Sequence, residues 1–316
     1  MKLTQIIEEE YKEISGRKKN IIKKIYSKAL KNLLEYYEQV NLLHLLADSF
    51  PDEQFQCGLK SLFQKNPWTR EEITEFSYAL TSFQEKKYFQ LSGVFLTEMV
   101  NVHYEKTKTK KTYIIPTIHL DKKLSHLGKE LRGAHLHIEG SAGEECGQNM
   151  HKGLLVISGD CENYLGHEMW NGAIKVCGNC KDNCGTSMNN GNIEIFGNAK
   201  DRVGKYARGG SIIIHGNCGD NAGTEMENMH IHIKQNCGKN AGSYLKSGSI
   251  EINGDALENA GYRMRGGEII ILGSAKKDVG DYAIGGTIFV YGNIEKVGHL
   301  FGGEVYWKGN KVEKES

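Results

Sequence analysis

The sequence predicts two parts of different fold class: a helical domain over residues 1–115, then a right-handed parallel β-helix of about nine rungs over residues 116–316. Glycine is concentrated in the second part, because only three of the 38 glycines lie before residue 116, and the chain has only three prolines. The second part also repeats every 19 residues, whereas the first carries apolar residues at helical spacing.

The first part predicts about four helices in a small bundle. Its longest apolar stripe begins at Ile22 and ends at Val40, with one apolar residue every three or four positions. The segment Asp48–Pro51 offers an N-cap followed by an early proline, which is typical of a helix start. Five basic residues between 17 and 24 are interpreted as the solvated face of a helix rather than as a nucleic-acid site.

Two further helices follow before the polar segment that ends at Pro116. Thr69 with Glu72 three residues later is a capping-box pattern, and the apolar positions after it continue at helical spacing to Phe83. Another apolar stretch occupies residues 91–102.

The second part carries three glycine columns with one period. The first column, broken only by Gln235, contains Gly140, Gly159, Gly178, Gly197, Gly216, Gly254, Gly273 and Gly292. The second runs seven residues later, from Gly147 to Gly280 on the grid, and the third runs from Gly153 to Gly286. We expect these glycines at corners where the backbone takes a positive φ or approaches its neighbour closely.

Each repeat predicts a short strand before its first-column glycine. Apolar residues stand four and two positions before it, as Ile212 and Ile214 do, and the residue between them varies, which is strand alternation. An Asn or Asp usually follows the glycine, a residue that tolerates a left-handed backbone and can stack as a ladder. Stacked identical positions at a fixed period indicate a solenoid.

The segments Gly191–Gly204 and Gly248–Gly261 resemble the GXGXG family. That family includes the C-terminal β-helix of the glutamate synthase large subunit and the β-helical subunit of formylmethanofuran dehydrogenase, and the resemblance covers roughly residues 116–309. It implies a non-catalytic, structural role in which the β-helix braces catalytic domains or subunits. The family's glycines form corners and bind no ligand, so the resemblance implies no site residue.

Composition restricts the classes of partner and compartment. The net charge is +1, from 40 Lys and Arg against 39 Asp and Glu, which argues against a strongly basic nucleic-acid-binding protein. No apolar run is long enough to span a membrane, and eight cysteines are too sparse for a secreted disulfide scaffold. We therefore expect a cytoplasmic protein with reduced thiols and no membrane partner.

Cysteine supplies the spacing closest to a metal motif, in Cys177, Cys180 and Cys184. The repeat assigns these three residues to three different columns, so we expect their thiols to point in different directions and to bind no metal or iron–sulfur cluster. Cys161 with Cys180, and Cys218 with Cys237, are neighbours on adjacent rungs. They could form redox pairs, but small buried apolar residues is the favoured interpretation.

Histidine supplies the only candidate metal ligands. His230 and His232 lie on the same face of one strand, and His215 lies one rung earlier, so a surface metal site is geometrically feasible. The favoured interpretation is that they are solvent-exposed histidines without a ligand. No catalytic or cofactor-binding residue and no cofactor are predicted, because no nucleophile elbow or phosphate-binding loop is present.

Apolar residues in outward strand columns predict an interface. They are concentrated on the later rungs and comprise Phe196, Ile213, Ile270, Leu272, Phe289 and Tyr291. Either an external protein partner or the helical domain itself could cover them. We also expect residues 120–132 to cap the first rung and the charged residues 308–316 to blunt the last one.

Three functional hypotheses follow. The favoured one is a non-catalytic scaffold or assembly protein whose β-helix presents a rigid face to a partner, such as a redox or amidotransfer enzyme. The alternative is an accessory subunit of a glutamate synthase-like or formylmethanofuran dehydrogenase-like oxidoreductase, inactive alone. A metal-dependent enzyme using His215, His230 and His232 is the third hypothesis. The sequence leaves homo-oligomerisation open and names no substrate.

Overall fold

The computed structural model describes residues 68–83 and 92–312, together with Tyr37, residues 59–61 and residues 63–64. The predicted helix from Ile22 to Val40 (Tyr37 apart), the N-cap at Asp48 and the basic cluster at 17–24 lie outside the described residues. The same is true of residues 313–316, the end of the segment predicted to blunt the last rung.

The described chain forms a parallel β-solenoid, as the repeat predicts. Twelve strands make one sheet in strict sequence order, the first eleven parallel, with about ten turns between them. The strands are β1 (Tyr113–Pro116), β2 (Arg132–Glu139), β3 (Lys152–Ile157), β4 (Ala173–Val176), β5 (Asn192–Ile195), β6 (Gly210–Ile214), β7 (Met229–Ile233), β8 (Gly248–Ile252), β9 (Glu268–Ile271), β10 (Thr287–Val290), β11 (Glu304–Trp307) and β12 (Asn310–Lys311).

The solenoid has one turn more than the glycine columns predict, because its first turn is irregular. Tyr113 of β1 pairs with Leu136 of β2, an offset of 23 residues, whereas Leu136 pairs with Leu155 at the regular offset of 19. At the other end, Thr287 pairs with Glu304, an offset of 17. A search for a fixed period detects only the regular turns.

The interior is filled by stacked columns of apolar side chains. In each regular strand the two alternating apolar residues are buried, for example Ile212 and Ile214 in β6. A second wall opposite the strands consists of single parallel bridges between consecutive turns, which join the small-residue column from Ala142 to Ile294. One continuous buried cluster runs through the whole solenoid, and burial of apolar surface is the main force that stabilises it.

The predicted ladder of Asn and Asp side chains is confirmed. Asn179 Oδ1 accepts a hydrogen bond from the backbone N–H of Asn198 at 2.9 Å, and Asn198 Oδ1 accepts one from Asn217 at 2.8 Å. These residues do not adopt a left-handed backbone; positive φ angles occur in other columns, at residues such as Asn183 (φ 63°) and Ser187 (φ 56°). Stacking, rather than backbone freedom, accounts for the Asn column.

The glycine columns have two different causes. Gly242 in the second column has a φ of +67°, and a Cβ there would lie 2.5 Å from Ile269 Cδ1. Gly197 in the first column has no positive φ, but a Cβ would lie 2.6 Å from Asn179 Oδ1 in the ladder. Backbone conformation and close approach between turns therefore both require glycine.

Two α-helices are described before the solenoid. α1 spans Arg70–Ala79, and its capping box is confirmed, since the Thr69 hydroxyl accepts from Glu72 N–H at 3.1 Å and Thr69 N–H donates to Glu72 Oε2 at 2.8 Å. A 3₁₀ turn (Leu80–Phe83) follows, and α2 spans Ser92–Thr107. Phe95 of α2 packs edge-on against Tyr37 and Phe63.

α2 closes the open end of the solenoid. Its Thr97 hydroxyl accepts a hydrogen bond from Gly128 N–H at 2.9 Å, and a Cβ on Gly93 would collide with the Ser125 carbonyl. Arg132 binds two carboxylates of the helix, Glu98 at 2.7 Å and Glu105 at 2.6 Å. The prediction that residues 120–132 form the cap is wrong: that segment belongs to the first turn, and the helix covers it.

The last turn ends in a short antiparallel hairpin. β12 pairs with β11 through Lys311 opposite Tyr306, and Lys311 also binds Glu304 at 2.5 Å. A two-residue charged strand is a poor template for adding another strand. None of the described helices combines the length and apolar character that crossing a membrane requires.

Candidate functional site

The three predicted metal-binding histidines lie on the strand face but make separate contacts. His215 Nε2 lies 3.1 Å from Glu194 Oε1. His230 Nδ1 lies 2.7 Å from Ser249 Oγ, and His232 Nε2 lies 3.1 Å from Asn253 Oδ1.

The structure does not bring these histidines together. Within the part of the chain that the structure describes, no three His, Cys, Asp or Glu side chains are arranged to hold a metal ion. The Nδ1 of His215 instead lies 3.3 Å from the Lys234 ammonium, whose positive charge opposes a cation at that nitrogen. Polar pairing along the strand face explains the three side chains without a ligand.

The cysteines of the solenoid are free thiols, and Cys177 is the only one of the described cysteines that is exposed. Cys161 and Cys180 are bridge partners on adjacent turns, as are Cys218 and Cys237, which confirms the predicted neighbours. The prediction that the columns of Cys180 and Cys184 point in different directions is wrong. Both side chains are buried in the interior, where the two thiols interact.

This interior position makes the thiols poor nucleophiles. A hydrogen bond with Cys184, together with burial, raises the pKa of Cys180 well above its ordinary value. Hydrogen bonding with Cys237 and burial do the same to the pKa of Cys218. The thiolate is the reactive form, so these cysteines serve as small apolar residues of the core.

The predicted interface residues separate into two groups. Phe196 stacks on His215 with ring centroids 4.6 Å apart, and Ile213 lies on the same two turns. The other four lie two or more turns later, beyond the polar residues His232 and Glu251.

The later group forms one patch at the end of the strand face. Ile270, Phe289 and Tyr306 are directly opposite one another on three consecutive strands, and the rings of Phe289 and Tyr306 stack at 5.1 Å. Leu272 and Tyr291, the residues immediately after β9 and β10, are 44% and 54% exposed. We call these five residues the late strand-face patch.

A second surface, which sequence reasoning missed, lies on a corner of the same turns. It is an open cleft of about 420 Å³. Its lining consists of Tyr244, Arg263, Arg265, Tyr282, Ile284 and Phe301. We call it the aromatic–arginine cleft. The guanidinium of Arg263 lies between 5.3 and 5.9 Å from the ring centroids of Tyr244, Tyr262 and Tyr282.

A periodic signal in the sequence could have revealed this cleft. Tyr206, Tyr244 and Tyr282 are spaced by two repeats and stand two residues after a second-column glycine. Arg263 occupies the same column between the last two. Each of the four has a positive φ, between 51° and 59°, which turns the side chain outward at the corner.

A third surface lies on the same corner, on earlier turns. This cavity of about 560 Å³ is lined by polar and charged residues, with Trp170 and Tyr206 among them. Its charges largely cancel, because Lys246 binds Glu227 at 2.7 Å and Arg208 faces the same carboxylate. This cavity therefore presents neither strong charge nor an apolar floor.

Comparison of the sequence with models of protein families and with curated proteins found no match. The functional interpretation therefore depends on the surfaces described above. Of these, the late strand-face patch and the aromatic–arginine cleft combine exposure with the residue types that dominate protein–protein contacts, namely aromatic residues and arginine.

Proposed function

We propose that the chain is a non-catalytic structural or assembly protein whose β-solenoid presents a rigid face to a partner protein. The late strand-face patch is the observation that carries the proposal. Its five side chains form a continuous apolar surface on three neighbouring turns, whereas single exposed apolar residues are scattered on any protein surface.

The solenoid is suited to this role because its face is held in a fixed geometry. Every strand of the patch is bonded to its neighbours in the parallel sheet. On the adjoining corner, the polar ladder joins consecutive turns, with Asp255 Oδ1 accepting from Ser274 N–H at 2.7 Å. A surface that needs no ordering on binding loses less conformational entropy.

The position of the described helices favours an external partner over coverage by the helical domain. α1 packs against β1, and α2 packs against β2, at the first turns of the solenoid. The patch lies on β9, β10 and β11, at the far end of the sheet. Among the described residues, the two helices therefore leave the patch uncovered.

The alternative function is an accessory subunit of an oxidoreductase complex, supported by the resemblance of the glycine columns to the GXGXG family. Under this alternative the solenoid is a right-handed β-helix of that family, residues 1–115 form a helical bundle, and the partner is a glutamate synthase-like or formylmethanofuran dehydrogenase-like enzyme. Both proposals require a protein at the same face, and they differ in the chemistry of the partner.

The test is affinity purification of the full chain from its native organism, with native mass and metal content measured on the intact product. The variant Leu272→Lys with Tyr291→Lys places two charges in the patch and should release the partner. Asn253→Lys is the matched control, because Asn253 occupies the same column one turn before Leu272 and is also exposed.

The outcomes separate the hypotheses. A stoichiometric partner that the double variant loses and Asn253→Lys retains supports the proposal. If that partner contains flavin, iron–sulfur or molybdenum cofactors, the chain is an accessory subunit. A product with the mass of one chain in both the unchanged protein and the variants would overturn both proposals.

A further inference from the structure

The aromatic–arginine cleft carries two positive charges and no carboxylate. Of its six lining residues, Arg263 and Arg265 are charged and the other four are aromatic or aliphatic. Elsewhere on the solenoid, neighbouring turns pair such cations with acids, as Lys239 does with Glu258 at 3.3 Å. The two arginines therefore constitute a local excess of positive charge on an apolar floor.

Arg263 is held in place without an acidic partner. Three tyrosine rings surround its guanidinium, and its Nη1 donates a hydrogen bond to the Tyr244 hydroxyl at 3.3 Å. Cation–π contacts fix the group and leave its charge uncompensated. An arginine that is already ordered pays little side-chain entropy when an anion binds to it.

Arg265 lacks an acidic neighbour because of its position in the repeat. The residues one turn before and one turn after it in the same column are Lys246 and Ile284. Lys246 can pair with Glu227 a turn earlier, at 2.7 Å. The side chain of Arg265 is exposed and forms no hydrogen bond or ion pair with any residue in the ranges that the structure describes.

The remaining lining is unusually apolar for an exposed corner. Ile284 and Phe301 are 61% and 65% exposed, and the ring of Phe301 stacks on Tyr282 at 5.9 Å. Tyrosine, arginine and phenylalanine around a shallow cleft are the composition of a protein–protein hot spot. The open shape of the cleft fits a side-chain anchor rather than an enclosed small molecule.

We propose that the aromatic–arginine cleft binds an acidic segment of a partner protein, in which an Asp or Glu pairs with Arg263 and Arg265 and an adjacent aromatic or aliphatic residue packs on Ile284 and Phe301. This inference rests on the proposed function only in that the ligand is a protein. It uses a corner of the solenoid, whereas the late strand-face patch lies on the strands.

The corner also disfavours a nucleic acid as the ligand. A strand running along the turns from the cleft would meet Glu225 and Glu227 in the neighbouring cavity. Like charges at these positions would repel its phosphates. An acidic side chain anchored only at the two arginines avoids this repulsion.

The experiment selects short random peptides displayed on phage against the full chain. We expect enrichment of sequences with Asp or Glu beside an aromatic or aliphatic residue. An enriched peptide, made synthetically with a fluorophore, should bind Arg265→Glu about tenfold or more weakly, judged by anisotropy. Replacing its acid by Lys should weaken binding to the unchanged chain and restore binding to Arg265→Glu.

Matched controls make the test specific. Arg208→Glu reverses an exposed arginine of the same column three turns earlier and should leave peptide binding unchanged. Leu272→Lys with Tyr291→Lys should also leave it unchanged, so failure of the cleft and failure of the strand-face proposal are distinguishable. Circular dichroism verifies that each variant keeps its strand content.

Three results would overturn the inference. Selection that enriches no peptide, or enriches peptides without acids, removes the proposed ligand. An equal loss of binding in Arg208→Glu and Arg265→Glu indicates general charge attraction rather than a site. Tighter binding of a single-stranded oligothymidylate than of the acidic peptide, lost in Arg265→Glu, would assign the cleft to nucleic acid instead.

Discussion

The buried side chain of Asn101 bonds the backbone on both sides of residue 131: its Oδ1 accepts from Arg132 N–H at 2.9 Å, and its Nδ2 donates to the Glu130 carbonyl at 3.1 Å. One helical side chain thus satisfies backbone groups that an open first turn would leave unpaired. Unpaired backbone groups at the end of a sheet are a template for aggregation, and α2 removes this template.

Replacing Asn101 by Leu should therefore open the first turn. The variant keeps a similar volume but leaves a buried N–H and a buried carbonyl without partners, which costs about 1–3 kcal/mol each. We expect faster amide hydrogen exchange in β1 and β2 and unchanged exchange in β6 to β10. Asn189→Ala is the control, because the Asn189 side chain has no hydrogen bond with a described residue; comparable exchange in the two variants would contradict the role of α2 as a cap.

The regular turns of the fold were predictable from the sequence, and its two ends were not. Positions such as Ile212 and Asn179 repeat because every turn imposes the same contacts on them, and such contacts leave a periodic trace. The cap formed by Asn101 depends on a helix meeting an irregular turn of 23 residues, so nothing repeats. The cleft around Arg263 was missed for a different reason: its residues share a column but differ in type, since a surface column is constrained by its ligand and not by stacking.

The ladder can be tested at Asn198, which both accepts and donates. Asn198→Ala removes the acceptor of the Asn217 N–H and the donor to Asn179 Oδ1. We expect a loss of about 1–2 kcal/mol in the free energy of unfolding. Asn198→Asp keeps the acceptor, as Asp160 and Asp255 do in the same column, and should lose less than half as much in urea denaturation. Equal losses would mean that the backbone acceptor is not the important contact.

Gly242 and Gly309 separate two costs of adding a Cβ. Both have a positive φ, +67° and +82°, but only the Cβ of Gly242→Ala would meet Ile269, whereas that of Gly309→Ala has no atom within 4 Å. Gly309→Ala should cost about 1–2 kcal/mol from the backbone alone. Gly242→Ala should cost about 1–3 kcal/mol more from overpacking. Thermal unfolding followed by circular dichroism compares them, and equal melting temperatures would show that the Ile269 side chain moves away freely.

The buried thiols predict how stability depends on pH. The folded protein raises the pKa of Cys180 and of Cys218, in each case through a hydrogen bond with a neighbouring thiol and through burial. A thiol whose pKa is higher in the folded state stabilises the fold fully below its unfolded pKa of about 8.5, and this contribution falls as the pH rises above that value. The fall is limited to about 1.4 kcal/mol per pH unit for each thiol.

Replacing both residues by Ala should therefore flatten the stability profile above the ordinary thiol pKa. The replacement suits the fold, because Ala199 and Ala256 occupy the same column as Cys180 and Cys218. Urea denaturation at neutral pH and at a pH near 10 gives the comparison, with the exposed Cys177→Ala as the control that should retain the unchanged protein's slope. Lysine and tyrosine titrate in the same range in all three proteins, so only the difference between slopes is informative. A double variant whose stability falls as steeply as that of the unchanged protein would show that the thiols do not resist ionisation in the folded state.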